Sequence, residues 1–512
     1  MDSRPRLSRD LVASLAGVDR SVIDIPPVAI VDLPEKIVQF GTGAFLRGFA
    51  EYFVDEANRL GMFNGSIVAV SSTGSARDAV LNEQDGLFTL AIQGMDGSSA
   101  RQHYRVVSSL SRALSARDEW DAVLAVAREP DIQIVISNTT EIGIALDSAD
   151  SFAASPPRSF PGKLTRFLAE RAAEFDYDSR RGLVVLPCEL IERNGDTLRD
   201  LVRELARRWT LGARFDRWLD ESVTFCNTLV DRIVPGAVQA DEAGRVSEKL
   251  GYRDGLLTSC ETYALFAIEG DARLCARIAF AGADERIVIT PDIAPYRERK
   301  VRVLNGAHTV LVPVALLAGL ETVRDACENE RVGRFLRRVM FDEIVPSLSV
   351  AGGEEFARET LDRFANPYIR HALIDITLHA TSKMRVRVIP SILQYHARTG
   401  RVPSSLAFGF AAHIALLRGE LQAERRTLGL SVPDDSEGDR IRAAWHGVDL
   451  SSESAIADVA RGVCADASLW GADLSAVGGF RDAVSEHLVR IIRDGVESAM
   501  DFHLTEPANE LT

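Results

Sequence analysis

Lys36-Ile-Val-Gln-Phe40-Gly41-Thr-Gly43-Ala-Phe45-Leu-Arg47 is the first stretch of the chain whose local pattern commits to one architecture. Residues 36–40 form a short strand-like apolar run, and the apolar residues beyond Gly43 recur at helical spacing through Leu60. Strand, glycine turn and helix are the opening of a dinucleotide-binding fold. Gly41 would permit the tight turn, Gly43 would let the backbone approach a pyrophosphate, and the helix N-terminus would offer it N–H donors. Position 46 is Leu, so the third glycine of the usual fingerprint is missing, and a bare GxG also occurs in turns that hold no ligand.

Working outward, Ser66-Ile-Val-Ala-Val70, Ile132-Gln-Ile-Val-Ile136 and Gly182-Leu-Val-Val-Leu186 are the apolar runs expected of strands covered on both faces. Helices are expected at 118–128 and 160–175. Residues 87–92 and 104–107 read as an antiparallel elaboration. The fold class is therefore α/β: an N-terminal arm over 1–35, then an extended Rossmann-type domain over 36–290. From about 290 strand patterns become rare, and 291–512 reads as a mostly α-helical domain, with a helix opening at Asn366-Pro-Tyr-Ile-Arg-His371.

The second strand ends in Ser71-Ser72-Thr73-Gly74-Ser75, without the Asp or Glu that often holds an adenine ribose. Ser72 could bond the ribose and Arg77 could meet a 2′-phosphate, so both NAD and NADP stay open. Thr140 and Glu141 follow the strand at 132–136, where open α/β sheets bind ligands; a helix N-cap with an acid in its first turn fits as well. The apolar run 223–235 contains Asn227, Asp231 and Arg232, which are costly there unless paired.

Composition excludes several classes. The chain has 512 residues, 46% hydrophobic and 26% charged, with a formal charge of −15. Phosphate attraction needs clustered Lys and Arg, so a general nucleic-acid binder is not expected. An anionic substrate would need a local basic pocket against the overall field. The six Cys are scattered with no CxxC pair, as in a reducing compartment, and no metal-ligand constellation is visible. No 18-residue apolar run and no signal-peptide pattern are present, so a cytoplasmic protein without a membrane span is expected.

The stretch Lys300-Val-Arg302-Val-Leu-Asn305-Gly-Ala-His308 stands at the mouth of an apolar segment. On an α-helix, ~100° per residue sets His308 about 80° and Asn305 about 140° from Lys300. Such a face presents an amine for proton transfer, an amide for an oxygen that gains negative charge, and an imidazole for a hydroxyl. A solvated helix start with one buried His fits the spacing too. The run Ser382-Lys383-Met-Arg385-Val-Arg387 is a basic cluster in an acidic chain, either a solvated face or a carboxylate-recognition edge.

Together these motifs resemble the mannitol dehydrogenase superfamily of polyol-specific long-chain dehydrogenases and reductases. The resemblance rests on Gly41-x-Gly43-x-Phe45-x-Arg47, Ser137-Asn-Thr-Thr-Glu141, Asn227-x-x-x-Asp231-Arg232-Ile233 and Lys300-x-x-x-x-Asn305-x-x-His308. Within it, the chain looks most like the branch of tagaturonate reductases, or altronate oxidoreductases. The pointers are Leu81-Asn-Glu-Gln-Asp-Gly-Leu87, Ser159-Phe-Pro-Gly-Lys-Leu-Thr165, Pro187-Cys-Glu-Leu-Ile191 and Ser382-Lys-Met-Arg-Val-Arg-Val-Ile-Pro390. The resemblance implies NAD-dependent, metal-free hydride transfer between tagaturonate and altronate. Lys300 would be the general acid or base, Asn305 would hold the alkoxide and His308 would position a hydroxyl. Gly41, Gly43, Phe45 and Arg47 would line the cofactor, and Asp231 and Lys383 would contact a small sugar-acid substrate. Arg302 and Arg387 are candidates for its carboxylate. Where mannitol dehydrogenases are expected to carry a second oxyanion donor, this chain has Leu190. Fructuronate/mannonate or a neutral polyol such as mannitol are the alternative substrates, and a nicotinamide-binding sensor without catalysis is the alternative class. Oligomeric state is not readable from the sequence.

Overall fold

The computed structural model describes residues 4–14, 23–72, 74, 76–96, 99–139, 143–418 and 435–505. Two compact units divide it. The first comprises Met1–Gly94 and Arg101–Ile293; the second comprises Met95–Ala100 and Ala294–Thr512.

The first unit is built on a six-stranded sheet: β1 (Glu35–Phe40), β2 (Ser66–Ser71), β3 (Leu110–Ser115), β4 (Ile134–Ser137), β5 (Val184–Pro187) and β6 (Thr224–Phe225). Their spatial order is β3-β2-β1-β4-β5-β6, every neighbour parallel. The apolar runs become strands because both faces are covered. Ile37, Ile67, Ile134, Ile136, Val184 and Leu186 enter one core with Phe49 and Phe53. Val38, Val68, Val70, Val135 and Val185 enter another with Trp120, Phe167 and Trp218. Alternate residues serve opposite faces, as the period of two requires. The strand order reverses between β1 and β4, the point at which doubly wound sheets bind ligands.

The run 223–235 divides between two sheets. Thr224–Phe225 ends the parallel sheet, and Thr228–Asp231 passes to a three-stranded sheet, antiparallel to Leu265–Glu269. The break falls at Asn227, whose amide pairs with Asp196: its Oδ1 accepts from the Asp196 N–H (3.1 Å) and its Nδ2 donates to the carboxylate (2.9 Å). The segment 1–35, expected to be a short helix and a surface arm, holds the helix Arg9–Ser14 and also a strand. Ile23–Asp24 adds a parallel strand beside Ser99–Val107 in a five-stranded sheet, with Ile23 and Ile25 buried.

The described residues of the second unit are mostly helical. Its central element runs from Ala294 to Leu317 in three parts: α-helix Ala294–Arg299, π-helix Lys300–Asn305 and α-helix Gly306–Leu317. At 24 residues this helix is long and apolar enough, by length and composition, to cross a membrane, but 78% of its apolar window is buried inside the fold. Its partner Ser404–Leu416 is buried from Ser405 onward, and Gly409 allows the approach: a Cβ there would lie 2.3 Å from Val310 Cγ1. No side chain of its own caps Ser404–Leu416. Glu343, from a second π segment at Arg338–Ile344, accepts from the N–H groups of Ser405 and Leu406, each at 2.7 Å. A buried carboxylate thus meets the exposed N–H groups and positive end of that helix.

The helix expected to open at Asn366 does not form there. The Asn366 Oδ1 accepts from the Tyr368 N–H, a local turn that competes with helix, and Ala372 bridges to Thr322. Helix resumes at Leu373–Ile376 and again at Ala380–Arg387.

Candidate active site

In the first unit, a cleft of about 670 Å³ opens at the C-terminal ends of β1, β2 and β4. Gly41, Ser72, Asn138, Thr139, Asp147 and Arg158 are among its lining residues. Gly41 carries φ +125°, a backbone state side chains disfavour, and a Cβ there would fall 2.9 Å from the Asn138 carbonyl oxygen. Gly43 differs. Its φ is −71° and a Cβ would meet nothing within 4 Å, so nothing within the described residues demands glycine there. A ligand approaching the backbone would.

The floor of the cleft is tied down by Glu189. Its carboxylate accepts from Thr139 N (2.9 Å), Thr139 Oγ1 (3.1 Å) and Ser137 Oγ (3.1 Å), joining the ends of β4 and β5. Asn194 does the same for the next turn. Its amide donates to the Pro187 and Glu189 carbonyls and accepts from the N–H groups of Gly195 and Thr228. Leu190 lies between these anchors and is 61% exposed.

Several residues read from the sequence take other positions. Arg47 is not turned to solvent at the glycine turn. It is 3% exposed, and its guanidinium donates to the Thr42 carbonyl (2.8 Å) and Thr258 Oγ1 (3.1 Å). Phe45 stacks on Phe49 with centroids 5.0 Å apart. Arg232 donates to the carbonyls of Glu261 and Gly48. Asp231 is buried at the end of its strand. Thr140 and Glu141 lie outside the described residues.

Beneath the glycine turn lies Glu51, fully buried and accepting from Gln39 Nε2 at 2.7 Å. Burial pushes its carboxyl up to about 7, against the opposing pull of the Gln39 bond and the Arg47 charge. Gln39 Oε1 and Glu51 Oε2 have no hydrogen-bond partner. The folded chain therefore keeps a proton that the unfolded carboxyl, near 4.5, releases. This contribution is fully present below pH 4.5 and is lost as pH rises through 7. Glu51→Gln should remove the dependence. It is expected to raise stability at pH 8 relative to pH 5 by about 2–3 kcal/mol compared with the native chain, measured as the difference in urea midpoints at the two pH values multiplied by the urea slope.

In the second unit, Lys300 and Asn305 bound the π segment. A π turn holds roughly 4.4 residues, so residues i and i+5 fall about 50° apart instead of 140°. With three α-helical steps more, His308 returns to within about 10° of Lys300. By these ideal angles the wider turn sets the three backbone positions closer to one face than a regular helix does. Gly306 lies within this arrangement because a Cβ there would sit 3.2 Å from the Arg387 carbonyl.

His308 is 7% exposed, and its Nε2 has no hydrogen-bond partner. Its ring stacks on Phe364 (3.9 Å between centroids) and meets His371 edge-on (5.0 Å, 87°). Burial, then the neighbouring His371 and the charges of Arg363, Arg387 and Lys383, hold its imidazole well below its ordinary value, so it is neutral at pH 7. Lys383 Nζ donates to the Ile376 carbonyl at 2.9 Å. Arg302 departs from its expected role. It is buried and donates to Ser391 Oγ (2.6 Å), Ser347 Oγ (3.1 Å) and Gln394 Oε1 (3.3 Å), holding the π segment to its neighbours. Sequence reading missed Arg363, Phe364 and His371 as neighbours of His308, and Asp147 and Arg158 in the cleft, because no spacing rule connects them to the residues they meet. Among the described residues no group of three or more His, Cys, Asp or Glu is arranged to hold a metal ion.

Comparison with known proteins identifies the family. The family model for the mannitol dehydrogenase Rossmann domain matches residues 35–282, and that for the mannitol dehydrogenase C-terminal domain matches 292–491. Altronate oxidoreductase of Bacillus subtilis (strain 168) is 40% identical over 472 residues, covering 91% of this chain and 95% of that protein. Altronate oxidoreductase of Yersinia pestis is 41% identical, with 91% and 96% covered. Among solved structures, Pseudomonas fluorescens mannitol 2-dehydrogenase, in a ternary complex with NAD and D-mannitol, shares the fold. Its TM-score is 0.71 at 22% identity, over 98% of this chain and 100% of that one. A substrate-free D-sorbitol dehydrogenase shares it too, with a TM-score of 0.76 at 23% identity over 96% and 100%. The chain belongs to the mannitol dehydrogenase family and is an oxidoreductase acting on CH–OH groups.

Proposed function

We propose that the protein interconverts D-tagaturonate and D-altronate with NAD, Lys300 serving as the general acid and base. The reading is supported by the π segment that runs from Lys300 to Asn305, a wider turn that draws their helix positions closer, and by the buried, unpartnered Nε2 of His308. The substrate class is supported by the 40–41% identity to altronate oxidoreductases and by the cations around His308.

The cleft of the first unit fits a dinucleotide. Gly41 leaves open the space a Cβ would fill, and Asp147 brings to the cleft the carboxylate that the end of β2 lacks. Gly41, Ser72, Asn138 and Thr139 would hold the cofactor, with Asp147 able to accept from ribose hydroxyls and Arg158 able to meet phosphate. When bound, a reduced nicotinamide supplies the hydride to the ketone carbon. Lys300 Nζ gives the carbonyl oxygen a proton, and takes it back when the alcohol is oxidised. The Asn305 amide donates to that oxygen as negative charge develops on it. His308, neutral and orphaned at Nε2, fixes a substrate hydroxyl.

The test is NADH oxidation followed with tagaturonate, fructuronate and fructose in parallel, with NADPH as the paired cofactor. Turnover with tagaturonate at least tenfold above the other two, and with NADH above NADPH, is the expected result. Preference for fructose would overturn the acid-substrate reading while keeping the proton-transfer chemistry.

A further inference from the structure

His371 was assigned no part in the reaction above. It sits in the non-helical stretch before Leu373–Ile376, half-buried, edge-on to His308. Its ring nitrogens make no hydrogen bond among the described residues. Beside it the Nε2 of His308 is buried without a partner, and an unpaired polar atom out of water is costly. The two adjacent rings are thus one polar feature of the fold.

The charges these rings feel come from every side. Arg363 stands on Gly353–Phe364, Lys383 and Arg387 on Ala380–Arg387, and Asp375 on Leu373–Ile376. Three cations and one carboxylate surround two imidazoles, in a chain whose net charge is −15. Such a field favours a ligand with a negative end. The spacing narrows the ligand further. The ring centroids are 5.0 Å apart. In a sugar acid, the carboxylate and a hydroxyl one or two carbons away are separated by roughly 3–5 Å, from bond lengths near 1.5 Å. One such ligand could reach both rings.

We propose that His371 is a specificity-determining residue that receives the carboxylate of the sugar-acid substrate beside Lys383, while His308 Nε2 takes a neighbouring hydroxyl. This rests on the hexuronate reading above and gives it the group that selects an acid over a neutral ketose. Arg302, whose donors are engaged by Ser391, Ser347 and Gln394, does not fill that role.

The experiment compares wild type with His371→Leu and His371→Gln on tagaturonate and fructose, at saturating NADH. For His371→Leu the KM for tagaturonate should rise about tenfold to fiftyfold, as for loss of a hydrogen bond to a charged group, with kcat within threefold. The KM for fructose and the Kd for NADH should not move. His371→Gln, which keeps a donor, should recover part of the loss, and it also serves as the test should the leucine variant fold poorly. An unchanged tagaturonate KM in the variants, or a fructose KM rising in parallel, overturns the assignment. Wild-type enzyme that fails to prefer tagaturonate over fructose overturns the hexuronate reading itself, so the two failures are read from different samples.

Discussion

Lys300→Ala is expected to lower kcat for ketone reduction by about 10³–10⁴-fold while the Kd for NADH stays within twofold of wild type. The separation follows from where the residues lie. The dinucleotide cleft is lined by Gly41, Ser72, Asn138, Thr139, Asp147 and Arg158 of the first unit, whereas Lys300 begins the π segment of the second. On the proposed mechanism the substitution deletes the proton donor and leaves the cleft's lining residues unchanged. Asn305 and His308 would still polarise the oxygen and hold the substrate, so the KM should change far less than kcat. Single-turnover mixing with pre-bound NADH is the measurement, since it isolates the chemical step from product release. Equal turnover in the variant would remove Lys300 from the mechanism.

Gly41→Ala is expected to weaken NADH binding by about 100-fold, read as the Kd from fluorescence titration. The loss has two physical sources. The native φ of +125° lies where an alanine pays about 1–3 kcal/mol, and the new Cβ would stand 2.9 Å from the Asn138 carbonyl oxygen and 3.2 Å from Leu46 Cδ1. The strand end cannot yield cheaply, because the Gly41 N–H is bonded to the Val70 carbonyl at 2.8 Å. The turn must shift as a whole, and the backbone that would face the cofactor phosphates shifts with it. Gly43→Ala is the paired control. Its φ of −71° suits alanine and its Cβ would meet nothing within 4 Å among the described residues, so folding should be unaffected and any loss of affinity reports the ligand. An unchanged Kd in Gly41→Ala would remove this turn from the cofactor site.

The parallel sheet was legible in the sequence because its signal is local. Runs such as Ile134-Val-Ile136 and Val184-Val-Leu186 are apolar on both faces, and the strands they imply are the strands found. The glycine turn was legible for the same reason: a backbone state only glycine adopts freely leaves a mark in the residue itself. The two-part division, with helices after about 290, follows from the change of period.

What the sequence could not carry is anything decided by which segments meet. The strand break at Asn227 depends on Asp196, thirty-one residues away. The inward turns of Arg47 and Arg302 depend on Thr258 and Ser391, which no spacing rule connects to them. The π turn is the sharpest case. Motif spacing identified Lys300, Asn305 and His308, yet an ideal helix would have splayed Asn305 away from Lys300. One wider turn, held by Arg302 to Ser347 and Ser391 and packed at Gly306 against Arg387, narrows that angle to about 50° by ideal π geometry. Residue types and order are thus local properties of the chain. The facing of those residues, and the arrival of His371 beside His308, come only from tertiary packing, where the costs of a wider turn and a broken helix are offset by contacts distant in sequence.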